Sequence, residues 1–531
     1  MNNHASHLSF VDIKTTFTDK RHQRALLSAA LVGLLAYAIF AFAFPIHNHS
    51  PRLPWIDSTH ALARANWMAP INDWLFQYGA DLPVFSPVLS IIFLILSGAL
   101  VSLLINKKAS PTVVFLGSAF VATFPFNLAI FYYTFVTPSF AIAHLYAVLA
   151  IVIGAMPGLR SWILAALLAF MAMATYQPAF TTICTVAVIS ILATLNWRDM
   201  NGEALNFSTI WKAHTLPLLS ALGFGLFCYW LSTQLLDSSS YALDSKSLIE
   251  AMTSAPKVAA MAYGHLLITQ PELLLTVKAL LFMICIFGGF AFLTQQLRVS
   301  ISRAVIGLTL LLCLPLATKA LFFVSSHPGF FIYRYNPGLQ YLYLFFALIS
   351  LHKIDLTRYR WPGYAGRIIL VFLIVRFVQA DLVYQGLHLR GAQHDLAITN
   401  RILARVESLP TLDFDKEYRI FFYGALPQAR KNWFETGDPM PSVIDFWPNR
   451  GGPNYHAIGA QHAYRSFPDY WTTGSAFSLL GAKIKMKPIL STFAETTEKV
   501  RKYLEIHPKG VWPAHNSIFI LEDIIVVRLE E

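Results

Sequence analysis

Over its first 385 residues the chain repeatedly carries apolar runs of about 20 residues, the length that crosses a bilayer. A backbone in lipid must satisfy its own polar groups, so each run is predicted to be a helix and the chain a polytopic α-helical membrane protein. Composition agrees. Hydrophobic residues make up 56% and charged residues only 13%, against roughly 25% charged in soluble domains. The net charge of +11 is no sign of nucleic-acid binding, because the cations cluster in short loops between apolar runs. The four cysteines, Cys184, Cys228, Cys285 and Cys313, all sit inside apolar runs, where neither a zinc site nor a disulfide framework is built.

Those cations also orient the chain. Lys14, Lys20, Arg21 and Arg24 precede the first run and place residues 1–24 in the cytoplasm. Lys107 with Lys108, Arg160, Arg198 with Lys212, Arg298 with Arg303, and Lys353 to Arg367 then mark alternate loops as cytoplasmic. This pattern predicts about eleven spans over residues 25–385 and an external C-terminal segment. No cleavable signal is expected, since a long polar stretch precedes the first run. Ser161 to Leu195 is short for two spans and is interrupted only at Thr175-Tyr176-Gln177-Pro178. That turn is expected to be either a tight hairpin or broken backbone lining a cavity below the membrane surface.

Beyond residue 385 charged and polar residues rise and no further run is long enough to span. Asp395 to Leu409 has helical periodicity, Tyr418 to Tyr423 reads as a strand, and Thr496 to Ile506 as a helix. Ser517 to Ile520 and Ile524 to Leu529 form a hairpin pattern about Glu522-Asp523. Residues 386–531 are therefore predicted to be a soluble α+β domain with its own core.

The candidate chemistry lies in loops on the external side. The first such loop, residues 46–86, contains Asp57, Asp73 and Asp81 among Trp55, Trp67, Trp74, Phe76 and Tyr78. Aromatic residues settle at the bilayer interface, so part of this loop is expected to lie along the membrane as an amphipathic helix. Acids in loops are usually solvated, but one held at that surface can act as a general base toward a hydroxyl beside a lipid-linked substrate. A late external loop carries His327 and Arg334, and the fork of an arginine suits a phosphate. Its bland alternative is an arginine snorkelling at the interface. Lys319, near the external end of a span, either adds to such a phosphate site or snorkels. No phosphate-cradling Gly-Lys-Ser/Thr loop, dinucleotide fingerprint or His-Glu-x-x-His is present. No cofactor is required by these residues, and a divalent metal is left open.

With these residues in place, the chain resembles the bacterial Gtr-type O-antigen glucosyltransferases, the glucosyl transferase type II family. The likeness rests on Asp57, then Trp67, then Asp81 with Ser86-Pro87. It continues in the Ala174-Thr-Tyr176-Gln177 turn and in two late segments, Val511-Trp512-Pro513-Ala-His-Asn-Ser517 and Ile525 to Leu529. Two positions depart from the family pattern: Asp57 follows Ile56 rather than a second acid, and Ala69-Pro70 replaces a Gly-Arg pair. The resemblance implies a GT-C-like membrane glycosyltransferase in the bacterial inner membrane. Its donor would be a polyprenyl-phosphate-linked sugar and its acceptor a periplasmic glycan. Asp57, Asp73 and Asp81 become candidate catalytic acids. Arg334, Lys319, His327, Trp67, Tyr176 and Gln177 become candidate substrate-binding residues. The competing expectations are a flippase for lipid-linked oligosaccharide, which predicts pseudo-repeated halves that the sequence lacks, and an O-antigen polymerase.

Overall fold

The computed structural model describes residues 8–42, 66–78, 82, 84–131, 137–196, 206–235, 246–267, 275–325, 336–355, 361–423, 481–486 and 493–529. The chain divides into two compact units, one formed by residues 1–41 and 55–382 and the other by residues 42–54 and 383–531.

The first unit is helical. It begins with α1 (Phe10–Thr18), whose start is fixed by reciprocal bonds between Ser9 and Asp12, and α2 (Lys20–Ala36). Then follow α3 (Met68–Gln77), α4 (Phe85–Ile105), α5 (Pro111–Ala122), α6 (Thr137–Gly154), α7 (Leu159–Thr175), α8 (Ala179–Thr194) and α9 (Leu216–Leu235). The series continues with α10 (Leu248–Leu267), α11 (Leu275–Leu297), α12 (Ile301–Ala317), α13 (Ala320–Val324) and α14 (Gly338–Asp355), and then with α15 (Trp361–Glu407), of which residues 361–382 belong to this unit and the rest to the second.

Among the described residues, four helical stretches are long and apolar enough to cross a membrane: Phe85–Ile105, Thr137–Gly154, Phe207–Leu235 and Thr276–Leu297. Five more are apolar but shorter, among them α7 and α8. These two are the halves of the run that the sequence marks as too short for two ordinary spans.

Burial sorts the helices into layers. Helices α4, α6 and α8 bury most of their side chains, and α4 and α6 pack on each other. The outer helices show apolar stripes instead. On α2, Leu27, Leu31 and Leu35 are exposed at four-residue spacing. On α9, Phe224, Phe227, Trp230 and Leu231 are exposed. In a membrane such stripes face lipid, so apolar residues outside are what the solvent favours. Close approach of α4 and α5 depends on Gly98: a Cβ there would stand 2.7 Å from the Gly117 carbonyl oxygen.

The second unit holds a four-stranded sheet: β1 (Glu417–Tyr423), β2 (Lys485–Met486), β3 (Ile518–Leu521) and β4 (Ile524–Arg528), with α16 (Phe493–Ile506) between β2 and β3. The spatial order is β2-β1-β4-β3. β1 runs parallel to both β2 and β4, and β3 is antiparallel to β4. Strand alternation splits β1 between two cores. Tyr418, Ile420 and Phe422 pack with Ile402, Leu403 and Val406 from the end of α15. Phe421 packs on the opposite face with Val500 of α16 and Val526. Helices cover both faces, as parallel strands require.

Candidate active site

Helix α3 has its two faces reversed relative to a helix on a soluble protein. Ala69, Asn72, Asp73 and Gln77 face inward, while Ile71, Trp74, Leu75 and Tyr78 are exposed, Trp74 at 67% and Tyr78 at 80%. Buried positions three and four apart make one continuous polar face. The helix ends at Tyr78, which adopts the left-handed conformation with φ 54°. An amphipathic helix is what the aromatic content of this loop predicts. Its polar face turns toward α6 and α7, against which it packs.

Asp73 is 2% exposed, so the solvated-loop expectation does not hold for it. The Ser139 hydroxyl, at the start of α6, donates to its Oδ1, and Gln77 Nε2 donates to the same oxygen at 3.4 Å. Gln77 in turn accepts from the Ser86 hydroxyl at the start of α4. Burial pushes the Asp73 carboxyl up to about 7, against the lowering effect of the bonds from Ser139 and Gln77. Its Oδ2 makes no hydrogen bond among the described residues. The side chain is thus held by one oxygen, and its charge changes near neutral pH.

Asn72 joins three elements. Its Nδ2 donates to Thr175 Oγ1 at 2.9 Å, and its Oδ1 accepts from the Tyr146 hydroxyl at 3.2 Å. Thr175 is the last residue of α7 and leads into the Tyr176-Gln177 turn. Tyr176 is buried and stacks on Phe140 with ring centroids 4.1 Å apart. Gln177 Nε2 donates to the Tyr229 hydroxyl at 2.8 Å. Trp67, just before α3, donates its indole N–H to Ser232 Oγ at 3.2 Å and packs on Phe170. Tyr229 and Ser232 lie three apart on α9, so one face of that helix grips both the turn and the start of the loop helix. Behind the turn, His144 shares a hydrogen bond with Thr182 Oγ1 at 3.2 Å and meets Tyr176 edge to face.

The structure therefore brings Asp73, Trp67, Tyr176 and Gln177 to one junction of α3, α6, α7 and α9. Lys319 stands apart from that hydrogen-bond network. It is fully buried between α12 and α13, donates to Asn336 Oδ1 at 2.6 Å, and lies 5.8 Å from the Phe322 ring. Snorkelling is thereby excluded for it. It borders the same region, because Leu321 and Phe322 pack against Phe180 in the first turn of α8. Asp57, Asp81, His327 and Arg334 lie outside the described residues.

Sequence reasoning missed Asn72, Gln77, Ser139, Tyr146, Tyr229 and Ser232. The signal for the first two was present, since Asn72, Asp73 and Gln77 fall on one helical face. Nothing local marks Ser139 or Tyr229 as their partners. Among the described residues no group of three His, Cys, Asp or Glu side chains gathers as a metal site.

A family model described as glucosyl transferase GtrII matches residues 54–351, more than half of the chain. The chain belongs to the glucosyl transferase GtrII family. The match covers α3 to α9, which build the junction, and extends through α13. No curated protein sequence matches the chain. Among solved structures, the Archaeoglobus fulgidus oligosaccharyltransferase in its apo form is similar at 10% identity and a TM-score of 0.37. That match covers 76% of this chain and 63% of the other. The same protein tethered to an acceptor peptide containing the NVT sequon gives 12% identity and a TM-score of 0.36, covering 77% and 62%. The chain thus spans less than two thirds of the length of these structures.

Proposed function

We propose that this GtrII family member is an inverting glycosyltransferase of GT-C type, taking a sugar from a polyprenyl-phosphate-linked donor at the outer surface of the bacterial inner membrane. Glucose is the favoured sugar, from the family, and the acceptor is a periplasmic glycan such as O-antigen. The N-terminus is cytoplasmic and residues 386–531 are periplasmic. The observation that carries this reading is the buried polar junction under an interfacial helix, with an Asp73 carboxyl at its centre. A lipid-linked sugar presents its phosphate and anomeric carbon at the membrane surface, where an interfacial helix is expected to lie.

In this reading Asp57 takes the proton from the acceptor hydroxyl. The acceptor oxygen bonds to the anomeric carbon as the bond from that carbon to the phosphate oxygen breaks. Polyprenyl phosphate leaves with the bonding electrons. Phosphate is already a competent leaving group, so no general acid is needed and no metal is demanded. Asp73 and Asp81 orient the acceptor. Arg334 holds the leaving phosphate, and His327 and Lys319 add to that site. Trp67, Tyr176 and Gln177 shape the sugar-binding wall.

The test compares surface glycans from cells with and without the protein by mass. One added hexose per acceptor repeat unit is expected, and it should be absent in Asp57→Asn although that variant accumulates to the wild-type protein level. Identical glycans in both strains would overturn the reading. Longer glycan chains without a new branch would favour a polymerase instead.

A further inference from the structure

We propose that Asn72 is a positioning residue that ties the interfacial helix α3 to the Tyr176-Gln177 turn, so that Asp73 and the sugar-binding wall move as one piece. This rests on the glycosyltransferase reading and adds to it the device that sets the register between the site's two halves.

The outward face of α3 is apolar, and apolar contact with lipid sets depth but has no direction. What fixes the helix about its own axis must be polar and directional. Restraints of this kind are seen among the described residues. Asp73 and Gln77 tie α3 to the starts of α6 and α4. Asn72 ties it to the end of α7, one residue before Tyr176.

The orientation of the Asn72 amide is dictated by its neighbours. The Thr175 hydroxyl already donates to the Met171 carbonyl at 2.7 Å, so toward Asn72 it can only accept. Asn72 must therefore present Nδ2 to Thr175, which leaves Oδ1 to accept from Tyr146. All three bonds are satisfied in one arrangement, and rotating the amide by half a turn sets two acceptors, Oδ1 and the Thr175 hydroxyl oxygen, against each other. Asn72 is 1% exposed, so neither bond is traded for water. The readouts below separate a positioning role from a merely structural one.

The experiment uses the full chain in lipid nanodiscs, with polyprenyl-phosphate glucose and an O-antigen glycan. Asn72→Ala and Thr175→Val are each expected to lower kcat by about tenfold to a hundredfold, with KM for the donor within about twofold of wild type. The double variant should be no worse than the worse single variant, because both lose the same bond. Thr175→Ser, which keeps the hydroxyl, should restore kcat. Tyr146→Phe, a smaller change to the fold, should show a partial kcat defect. Hydrogen exchange supplies a readout that needs no activity: Asn72→Ala should speed exchange at residues 68–77 and at residues 175–178 together, and nowhere else.

Additive losses, or kcat within about twofold of wild type in Asn72→Ala, would overturn the positioning role while leaving the glycosyltransferase reading intact. A wild-type protein that transfers no sugar would sink that reading instead. The coupling would then be decided by exchange alone, where an unchanged turn in Asn72→Ala overturns it.

Discussion

Opposing influences meet at Asp73. Burial disfavours its charge, while Ser139 and Gln77 donate to the charged form and restrain the shift. An unfolded chain ionises this acid at its ordinary value of 3.8, the folded protein at about 7. Between these values the folded state holds the extra proton. Its contribution to stability is therefore fullest at the acid end and falls as pH rises through about 7. Activity should run the opposite way, because a carboxylate that orients an acceptor hydroxyl must be ionised. We expect turnover to rise through pH 7 in wild type. Asp73→Asn keeps an oxygen for Ser139 and Gln77 but cannot titrate, so it should lose this limb in both profiles. Ser139→Ala removes a bond that lowers the carboxyl and should move the limb to higher pH. A pH–rate profile and a melting series across pH 5 to about 9 check both variants. A limb that persists in Asp73→Asn would assign it to another group.

At the scale of elements, helices can approach only as closely as their smallest residues allow. The Gly98 contact on α4 is with backbone: an added methyl would stand 2.7 Å from the Gly117 oxygen and 2.8 Å from the Ser118 Cα. Neither atom can swing away as a side-chain tip can. Gly98→Ala should therefore force α4 and α5 apart at a cost of about 1–3 kcal/mol. Gly223 on α9 has open space around its Cβ position, so Gly223→Ala should cost nothing and serves as the control. Heating detergent-solubilised protein and following its monodisperse fraction checks the pair; equal melting would contradict the packing account. The elements themselves were largely legible from periodicity. Tyr418 to Tyr423 and the Ile524 strand appear within a residue or so, and Thr496 to Ile506 lies within α16. β2 was not legible, since two residues pairing in parallel at a sheet edge leave no alternation to read. The inward polar face of α3 was not legible either. Spacing groups Asn72, Asp73 and Gln77 on one face, but which face meets lipid depends on the solvent, and lipid reverses the usual answer.

At the scale of the whole molecule, the sequence supplied the parts of the site but not their meeting. Asp73 and the Tyr176-Gln177 turn could be singled out as residue types in suggestive places. Ser139 could not, because it lies 66 residues from Asp73 and has no local mark of its own. Tyr229 and Ser232 were hidden for the same reason, inside an apolar helix where a hydroxyl is unremarkable. Long-range partners of this kind follow from the packing of α3 against α6 and α7, which local pattern does not encode. In the proposed function the junction of α3, α6, α7 and α9 holds a lipid-linked sugar beside a glycan hydroxyl. The most direct measurement is single-turnover transfer by the purified protein in nanodiscs, with radiolabelled polyprenyl-phosphate glucose and an unmodified O-antigen acceptor. The account predicts label on the acceptor, one hexose per repeat unit, with transfer abolished in Asp57→Asn. Label that crosses the bilayer but stays on the polyprenyl phosphate, or no transfer by wild type to any glycan acceptor, would contradict it.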